Sequence, residues 1–402
     1  MPQDNLMHVT PHIEGDMLRI SYRVTGPWAE AFNLERPAGR LAPVSGGIYD
    51  FFCQYGTDIS DVPASIAVIP FLCNVMPVVW LYDAIVHVDE VDRDFAQSLD
   101  NVREGYAAVY PWLNFSGRLE GRQVRNDVGR PQSPPLIFFS GGVDAAFSML
   151  GNRALSPTLL TVWGADIFFR EAEPWQKVEA ANRRTAQDFG IGFESIKSSF
   201  RLFLNTDVLD KAFSSTIYHW ASWWPNFQFG IGLLGLAAPL AWARKSRTII
   251  ISSSISKEDS RRIYSASDPM TDMALRFAGC QCQHYDFTID RQQKIAFICE
   301  QARLLDQPIA LRVCWQSSGE NCGLCEKCMR TFFAILAEGS DPGLFGFRVD
   351  DEILEKITDL ITAGTVKPNL FWDDLIRKLH ASNRTEPYVR ALLDRYPSDC
   401  AH

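Results

Sequence analysis

Leu136-Ile137-Phe138-Phe139-Ser140-Gly141-Gly142-Val143-Asp144-Ala145-Ala146-Phe147-Ser148-Met149-Leu150 is the stretch on which the reading of this chain turns. Four apolar residues, 136–139, have the length of a buried strand, and the apolar side chains of 145–150 repeat as a helix does. Between them lies Ser140-Gly141-Gly142-Val143-Asp144. Two adjacent glycines let the backbone turn sharply and bring bare N–H groups toward an anion, while the new helix directs its positive end to the same point. The expected ligand is a phosphate group, bound at Ser140, Gly141, Gly142, Val143 and Asp144. No Gly-Lys-Ser/Thr follows, and the spacing is not Gly-x-Gly-x-x-Gly, so neither the Walker loop nor the dinucleotide turn applies. The plainer reading is a tight turn with Asp144 as a helix cap. The strand-to-helix setting favours the anion site.

Outward from this loop, short apolar strands alternate with helices. Strands are expected at 136–139, 159–163 and 247–252, with helices at 145–150, 174–189 and 227–243. This alternation predicts an α/β fold, a doubly wound, Rossmann-like parallel sheet covered on both faces. Further helices at 350–363 and 372–393 would cap it. Upstream, residues 17–24, 64–71 and 85–88 read as β segments, 95–110 as an amphipathic helix, and 118–135 as a polar connector ending in Gly129, Pro131, Pro134 and Pro135. Three units follow: a smaller β-rich α+β accessory domain over 1–130, an α/β domain over 131–345, and a helical cap over 346–402.

At 402 residues and 47% hydrophobic, the chain can bury a large core. A formal charge of -9 with no Lys/Arg block gives no field for a phosphate backbone, so nucleic acid is not an expected partner. The start Met1-Pro2-Gln3-Asp4 has no basic-then-apolar leader, and a cytoplasmic location is expected. The apolar run 64–82 is interrupted by Pro70, Asn74 and Pro77, and 229–243 is short and carries Pro239. Both are expected to be core, and no membrane span is expected.

Four of the ten cysteines crowd into one short segment, Cys314, Cys322, Cys325 and Cys328, a Cys-x7-Cys-x2-Cys-x2-Cys pattern. Four thiolates at this spacing suit tetrahedral Zn2+, and no neighbouring group suggests an open catalytic position. An iron–sulfur cluster uses the same ligands, and four buried free cysteines are the plain alternative. Lys327 and Arg330 can offset the thiolate charge. Met329, Phe332, Phe333 and Leu336 then follow helical spacing, so the metal would staple a helix start to the core.

The loop resembles the Ser-Gly-Gly-x-Asp-Ser signature of ATP pyrophosphatases in the adenine-nucleotide α-hydrolase (PP-loop) superfamily. Combined with the four-cysteine knuckle, it looks like the QueC family of 7-cyano-7-deazaguanine synthases, over roughly residues 135–340. The resemblance implies ATP and Mg2+ as cofactors beside Zn2+, with the loop holding the β- and γ-phosphates and Asp144 and Ser140 as catalytic residues, Asp144 helping to organise the metal. It also implies adenine contacts near Trp163 and Gly164, where the strand ends Thr161-Val162-Trp163-Gly164-Ala165-Asp166, although a plain strand-to-loop turn explains Gly164 and Asp166 equally. QueC-like proteins also occur in bacterial antiphage gene clusters, where some are thought to attach a deazaguanine to a protein partner. Two departures stand out. Ala145 replaces the last serine of the signature, and residues 1–130 have no counterpart in a stand-alone nitrile synthase. The segments 311–315 and 328–331, including Trp315, look closer to QueC-like relatives of unassigned activity.

Other residues are read in two ways. Ser252-Ser253-Ser254, with Ser253 the central candidate, offers hydroxyls at the same sheet edge or forms a capped loop. His284-Tyr285-Asp286 with Arg291 and Lys294 supplies charge for an α-phosphate or pyrophosphate, or a surface ion-pair cluster. Cys280 and Cys282 are sulfur carriers or small core residues. His219, Trp220, Trp223 and Trp224 stack on a flat heterocycle or pack in a core. The function expected from all this is adenylation of a carboxylate, such as that of a 7-deazaguanine, and its transfer to ammonia or an amine, with release of AMP and pyrophosphate. The N-terminal domain would meet substrate or a protein partner. The alternatives are ATP-dependent sulfur insertion, and a non-catalytic nucleotide-binding subunit of a bacterial antiphage complex.

Overall fold

The structure is a computed structural model that describes residues 4–33, 51–127, 129–130, 133–168, 170–217, 222–314 and 319–397. The expectations placed on Met1, Pro2, Gln3, Pro131, His219, Trp220 and Trp315 lie outside these residues. Its frame is an α/β architecture on one large, mostly parallel sheet. In chain order the strands are β1 (Leu6–Glu14), β2 (Met17–Thr25), β3 (Phe51–Tyr55), β4 (Ile85–Asp92), β5 (Arg118–Val124), β6 (Leu136–Phe138), β7 (Thr158–Trp163), β8 (Gly192–Ser198), β9 (Thr248–Ser252), β10 (Arg276–Phe277) and β11 (Cys280–Tyr285). Across the sheet they run β10-β11-β9-β6-β7-β8-β3-β2-β1-β4-β5.

The centre of the sheet is parallel. β11, β9, β6, β7 and β8 all run the same way, and β6 lies between β7 and β9. Counted along the chain from β6, the order β8-β7-β6-β9-β11 is 3-2-1-4-5. β6 is buried at all three positions, as a strand covered on both faces must be. Ile137, Leu159 and Ile250 face one core with the helices Val143–Asn152, Arg291–Leu305 and Glu326–Ala337. Leu136, Phe138, Leu160, Ile249 and Ile251 face the other, with the helices Ile69–Leu81, Ile231–Leu236 and Ala238–Arg244.

The sheet does not stop at the boundary expected near residue 130. β3 pairs antiparallel with β8, with Cys53 opposite Ser198, and this joins β1–β5 to the central strands. Core residues from Met7 through Tyr110 pack in the same cluster as Phe200, Trp223 and Leu234. β1 and β2 form a hairpin whose tight turn has Gly15 at φ 58°, and Met7, Val9, Leu18 and Ile20 point inward while alternate residues face out.

Four local expectations change, the first at 372–393, where the one helix expected is two, Asp373–Ala381 and Pro387–Arg395, parted between Ser382 and Glu386. Residues 64–71, read as a β segment, are helical, within Ala64–Ala67 and the buried helix Ile69–Leu81. A run apolar on every side has no period to separate strand from helix. The polar side chain within the helix Ile69–Leu81, Asn74, is paired at both ends: its Nδ2 donates to the carbonyls of Pro70 and Gly232, and its Oδ1 accepts from Gln228. The polar connector at 118–135 contains the edge strand β5, whose Arg118, Glu120 and Arg122 are the charges that guard an edge. The helix expected over 227–243 starts only after Gly230, φ 90°, which follows a π-helical turn at Trp224–Gln228, and it runs as two short helices, Ile231–Leu236 and Ala238–Arg244, that meet at Ala237. No helix among the described residues is long and apolar enough to cross a membrane.

Candidate functional site

The carboxyl end of β6 runs through Phe139 into the glycine loop, and Gly142 caps the helix Val143–Asn152. Gly141 takes φ 82°, a conformation that L side chains rarely adopt, and a Cβ there would lie 2.9 Å from Asn182 Oδ1. Ser140 closes the turn by accepting the Gly142 N–H on Oγ at 3.3 Å. The loop opens into a cavity of about 370 Å³. Ser140, Gly142, Val143, Asp144 and Ala145 line it, together with Asp166, Trp175, Trp224, Ser252, Ser254, Arg291, Arg312, Cys314 and Lys327.

Charge converges on the loop from three later segments. Arg291, at the first position of its helix, and Lys294, one turn on, point at the same carboxylate: Arg291 Nη2 lies 2.8 Å from Asp144 Oδ2 and Lys294 Nζ 3.0 Å from Oδ1. Lys294 also donates to the Ser253 carbonyl at 2.5 Å, and Arg291 to that of Ser254 at 3.2 Å. Burial alone would raise the Asp144 carboxyl, but the adjoining Arg291 and Lys294 outweigh it and hold the group below the usual carboxylate range. The Arg312 guanidinium straps the loop, donating to the Ser140 carbonyl from Nε at 3.2 Å and Nη2 at 3.0 Å, while its backbone N–H donates to Gly141 O at 2.7 Å. Burial lowers Arg312 and Lys327, with Asp166 acting against it on both. Phe371, from the C-terminal helices, lies 5.4 Å from the Arg291 guanidinium and 4.9 Å from that of Arg330.

Beside this cluster, the sulfurs of Cys314, Cys322, Cys325 and Cys328 all lie within 4.8 Å of one another. Cys314–Cys325 and Cys322–Cys328 are each 3.9 Å apart. Zn–S bonds of about 2.3 Å put tetrahedral sulfurs about 3.8 Å apart, close to the two 3.9 Å pairs, so the donors could hold a metal such as zinc once the wider pairs draw in. Gly323 makes the turn at φ 77°, and the Cys325 N–H donates to Cys322 Sγ at 3.3 Å. Cys325 then caps the helix Glu326–Ala337, so a metal held by these sulfurs would sit at the helix start.

No family model matches this chain, and no curated protein matches it.

Of the residues expected at the site, Ser140, Gly142, Val143, Asp144 and Arg291 line the cavity, and Gly141 shapes its loop. Lys294 and Ser253 stand behind that wall, tied to each other and, through Lys294, to Asp144. Trp163 is not at the wall: it stacks on Trp175 at 5.2 Å, with the Lys197 ammonium 4.2 Å from its ring. Gly164 serves a close approach, since a Cβ there would meet Ser198 O at 2.0 Å. Among the aromatic candidates, Trp224 lines the cavity with the Arg201 guanidinium over it at 4.4 Å, whereas Trp223 is core, stacked on Phe227. His284 is tied to Asp272 at 2.8 Å in the buried interior. Cys280 and Cys282 are buried within β11, with both thiols raised by burial, Cys280 to about 12.

Sequence reasoning missed Arg312 and Trp175, and it gave Lys327 and Arg330 only the role of balancing thiolates. Lys327 faces the cavity, while Arg330 pairs with Glu326 at 3.2 Å. The available signal was position: Arg312 stands two residues before the first cysteine of the knuckle, and Lys327 one before the last.

Proposed function

We propose that this cavity binds ATP with Mg2+ and that the protein cleaves the nucleotide between its α- and β-phosphates to activate a carboxylate for attack by ammonia or an amine. The observation that carries the reading is the placement of the Ser-Gly-Gly-Val-Asp loop. It leaves the carboxyl end of β6, the strand from which successive connections lead outward in both directions, and ligands of doubly wound sheets sit at that switch point. Around it stand Arg291, Lys294, Arg312 and Lys327, more positive charge than Asp144 and Asp166 offset. A polyphosphate matches that surplus.

Within this reading, the loop N–H groups and Arg312 would hold the departing pyrophosphate. Asp144, backed by the buried Lys294, keeps Arg291 at the cavity wall, and Asp166 at the rim offers a further carboxylate for Mg2+. Bound Mg2+ supplies charge neutralisation of the phosphates. Zn2+ in the cysteine knuckle is structural. The doubly wound, PP-loop type of fold and the QueC-like resemblance belong to the same proposal, as does a 7-deazaguanine acid as the first substrate to try and a protein partner for the strands of residues 1–130. Sulfur insertion gains nothing from the positions of Cys280 and Cys282, whose thiols are buried and protonated away from the cavity wall.

The test is incubation with ATP, Mg2+, 7-carboxy-7-deazaguanine and ammonia, read by mass spectrometry. Conversion of the acid to its amide or nitrile, lost in Arg312→Ala, supports the reading. ATP binding with no change in this acid or in a panel of other carboxylates, whatever the amine, contradicts ligase activity and leaves nucleotide binding as the function.

A further inference from the structure

The cysteine knuckle and the phosphate loop share their parts. Arg312 contacts the loop through three hydrogen bonds, two from the guanidinium to Ser140 O and one from the backbone to Gly141 O. The next residue but one is the metal-site ligand Cys314. The segment between is held by Asn321, which accepts the Val313 N–H at 2.9 Å and donates to Leu311 O at 2.7 Å, immediately before Cys322. Lys327 lies between Cys325 and Cys328, on the first turn of the helix that the knuckle caps, and it faces the same cavity. Two of the cations at the loop are thus carried on the backbone of the metal site, whereas Arg291 and Lys294 come from a helix outside it.

We infer that the metal held by Cys314, Cys322, Cys325 and Cys328 acts on anion binding as a positioning element: it sets Arg312 and Lys327 over the phosphate loop, so that metal and polyphosphate each strengthen the binding of the other. This rests on the reading of the cavity as an anion site. The physical reason is preorganisation. Without the metal, the four thiols crowded within 4.8 Å are joined only by weak sulfur contacts, and the strap 311–314 and the first turn of the helix lose the strongest tether between both cations. Coupling of this kind is reciprocal, and typical coupling energies correspond to about 5- to 150-fold in affinity. Arg312 and Lys327 link the two sites, because they are cavity cations carried on the backbone of the metal site.

The experiment uses the metal-loaded full chain. Zinc release to a chromogenic chelator is timed with and without saturating inorganic pyrophosphate at constant ionic strength, and pyrophosphate binding is measured separately by calorimetry. Release slows by about 5-fold or more when pyrophosphate is bound. The chelator is kept in excess and calibrated with free zinc in the same pyrophosphate, so that competition for released zinc is accounted for and slowing reports the protein. In Arg312→Ala and Lys327→Ala, which keep all four cysteines, zinc content is unchanged and the slowing is lost or much reduced. Hydrogen exchange supplies the converse reading: on removal of zinc, amides 140–146 exchange about tenfold faster while those of β7 and β9 keep their protection. Pyrophosphate that binds in the calorimeter without altering zinc release overturns the coupling and leaves the anion site standing. Absence of pyrophosphate binding overturns both.

Discussion

Replacing Asp144 by asparagine tests the ion cluster on which the loop is built. Lys294 is only 2% exposed, and its ammonium has two partners, Asp144 Oδ1 at 3.0 Å and the Ser253 carbonyl at 2.5 Å. The amide in Asp144→Asn would keep the shape and one acceptor but remove the charge, taking from Lys294 and the largely covered Arg291 the carboxylate that pairs with both. Breaking a buried pair from one side costs about 3–5 kcal/mol, and the residual access of water to Asp144 sets the expectation at the low end, about 3 kcal/mol. In urea this moves the unfolding midpoint down by roughly 1 M. The double variant Asp144→Asn/Lys294→Met removes the stranded charge and recovers at least half of the loss. The pH dependence has a definite sign. Because the carboxyl titrates below its ordinary 3.8 in the fold, its stabilisation is complete above about pH 5 and is lost as pH falls through the lowered value. The gap between wild type and variant is therefore constant from about pH 5 to 8 and closes below about pH 4. A variant within about 0.5 kcal/mol of wild type at pH 7 would refute the argument that Asp144 neutralises a buried cation.

Other outcomes follow from neighbouring features. Gly164→Ala forces a Cβ to 2.0 Å from Ser198 O at φ 114°, so it lowers stability by at least about 3 kcal/mol in a thermal or urea melt; a neutral result would mean that the β7–β8 connection yields easily. Cys328→Ser removes one of four donors, and elemental analysis should show near-complete loss of bound metal, with the helix Glu326–Ala337 becoming accessible to protease; retention of metal contradicts the four-sulfur site. Ala145 is buried at the cavity wall, where Ala145→Ser adds one hydroxyl donor, and pyrophosphate binding measured by calorimetry should tighten about tenfold. Unchanged or weaker affinity would show that the bound anion does not reach position 145.

What could be read from the sequence was what is local in it. Ser140 to Asp144 and Cys322 to Cys328 are contiguous, and turn chemistry and donor spacing define them without knowledge of the rest. Of the five parallel strands, β6, β7 and β9 were legible as apolar runs, whereas β8, with Glu194 and Lys197, and β11, with Gln281 and Gln283, carry too many polar residues to stand out. Arg312 could not be found this way, since it meets Ser140 across 172 residues of chain. The same holds for the union of the two halves of the sheet, which depends on β3 meeting β8 with Cys53 opposite Ser198. Nothing in either strand's composition announces its partner. Arg291 and Lys294 were legible as charge, and the structure adds the reason for their spacing: three residues apart on one helix, they reach the two oxygens of one carboxylate. The helix Ile69–Leu81 was misread because burial on all sides erases the periodicity that distinguishes helix from strand.

The most direct test of the account is the fate of α-labelled ATP incubated with the purified protein, Mg2+ and a panel of carboxylic acids with ammonia, resolved by chromatography. The account predicts AMP with an equal amount of pyrophosphate, dependent on an acid and abolished in Arg312→Ala. ADP with phosphate as the products, or no binding of ATP at millimolar concentration, would contradict it.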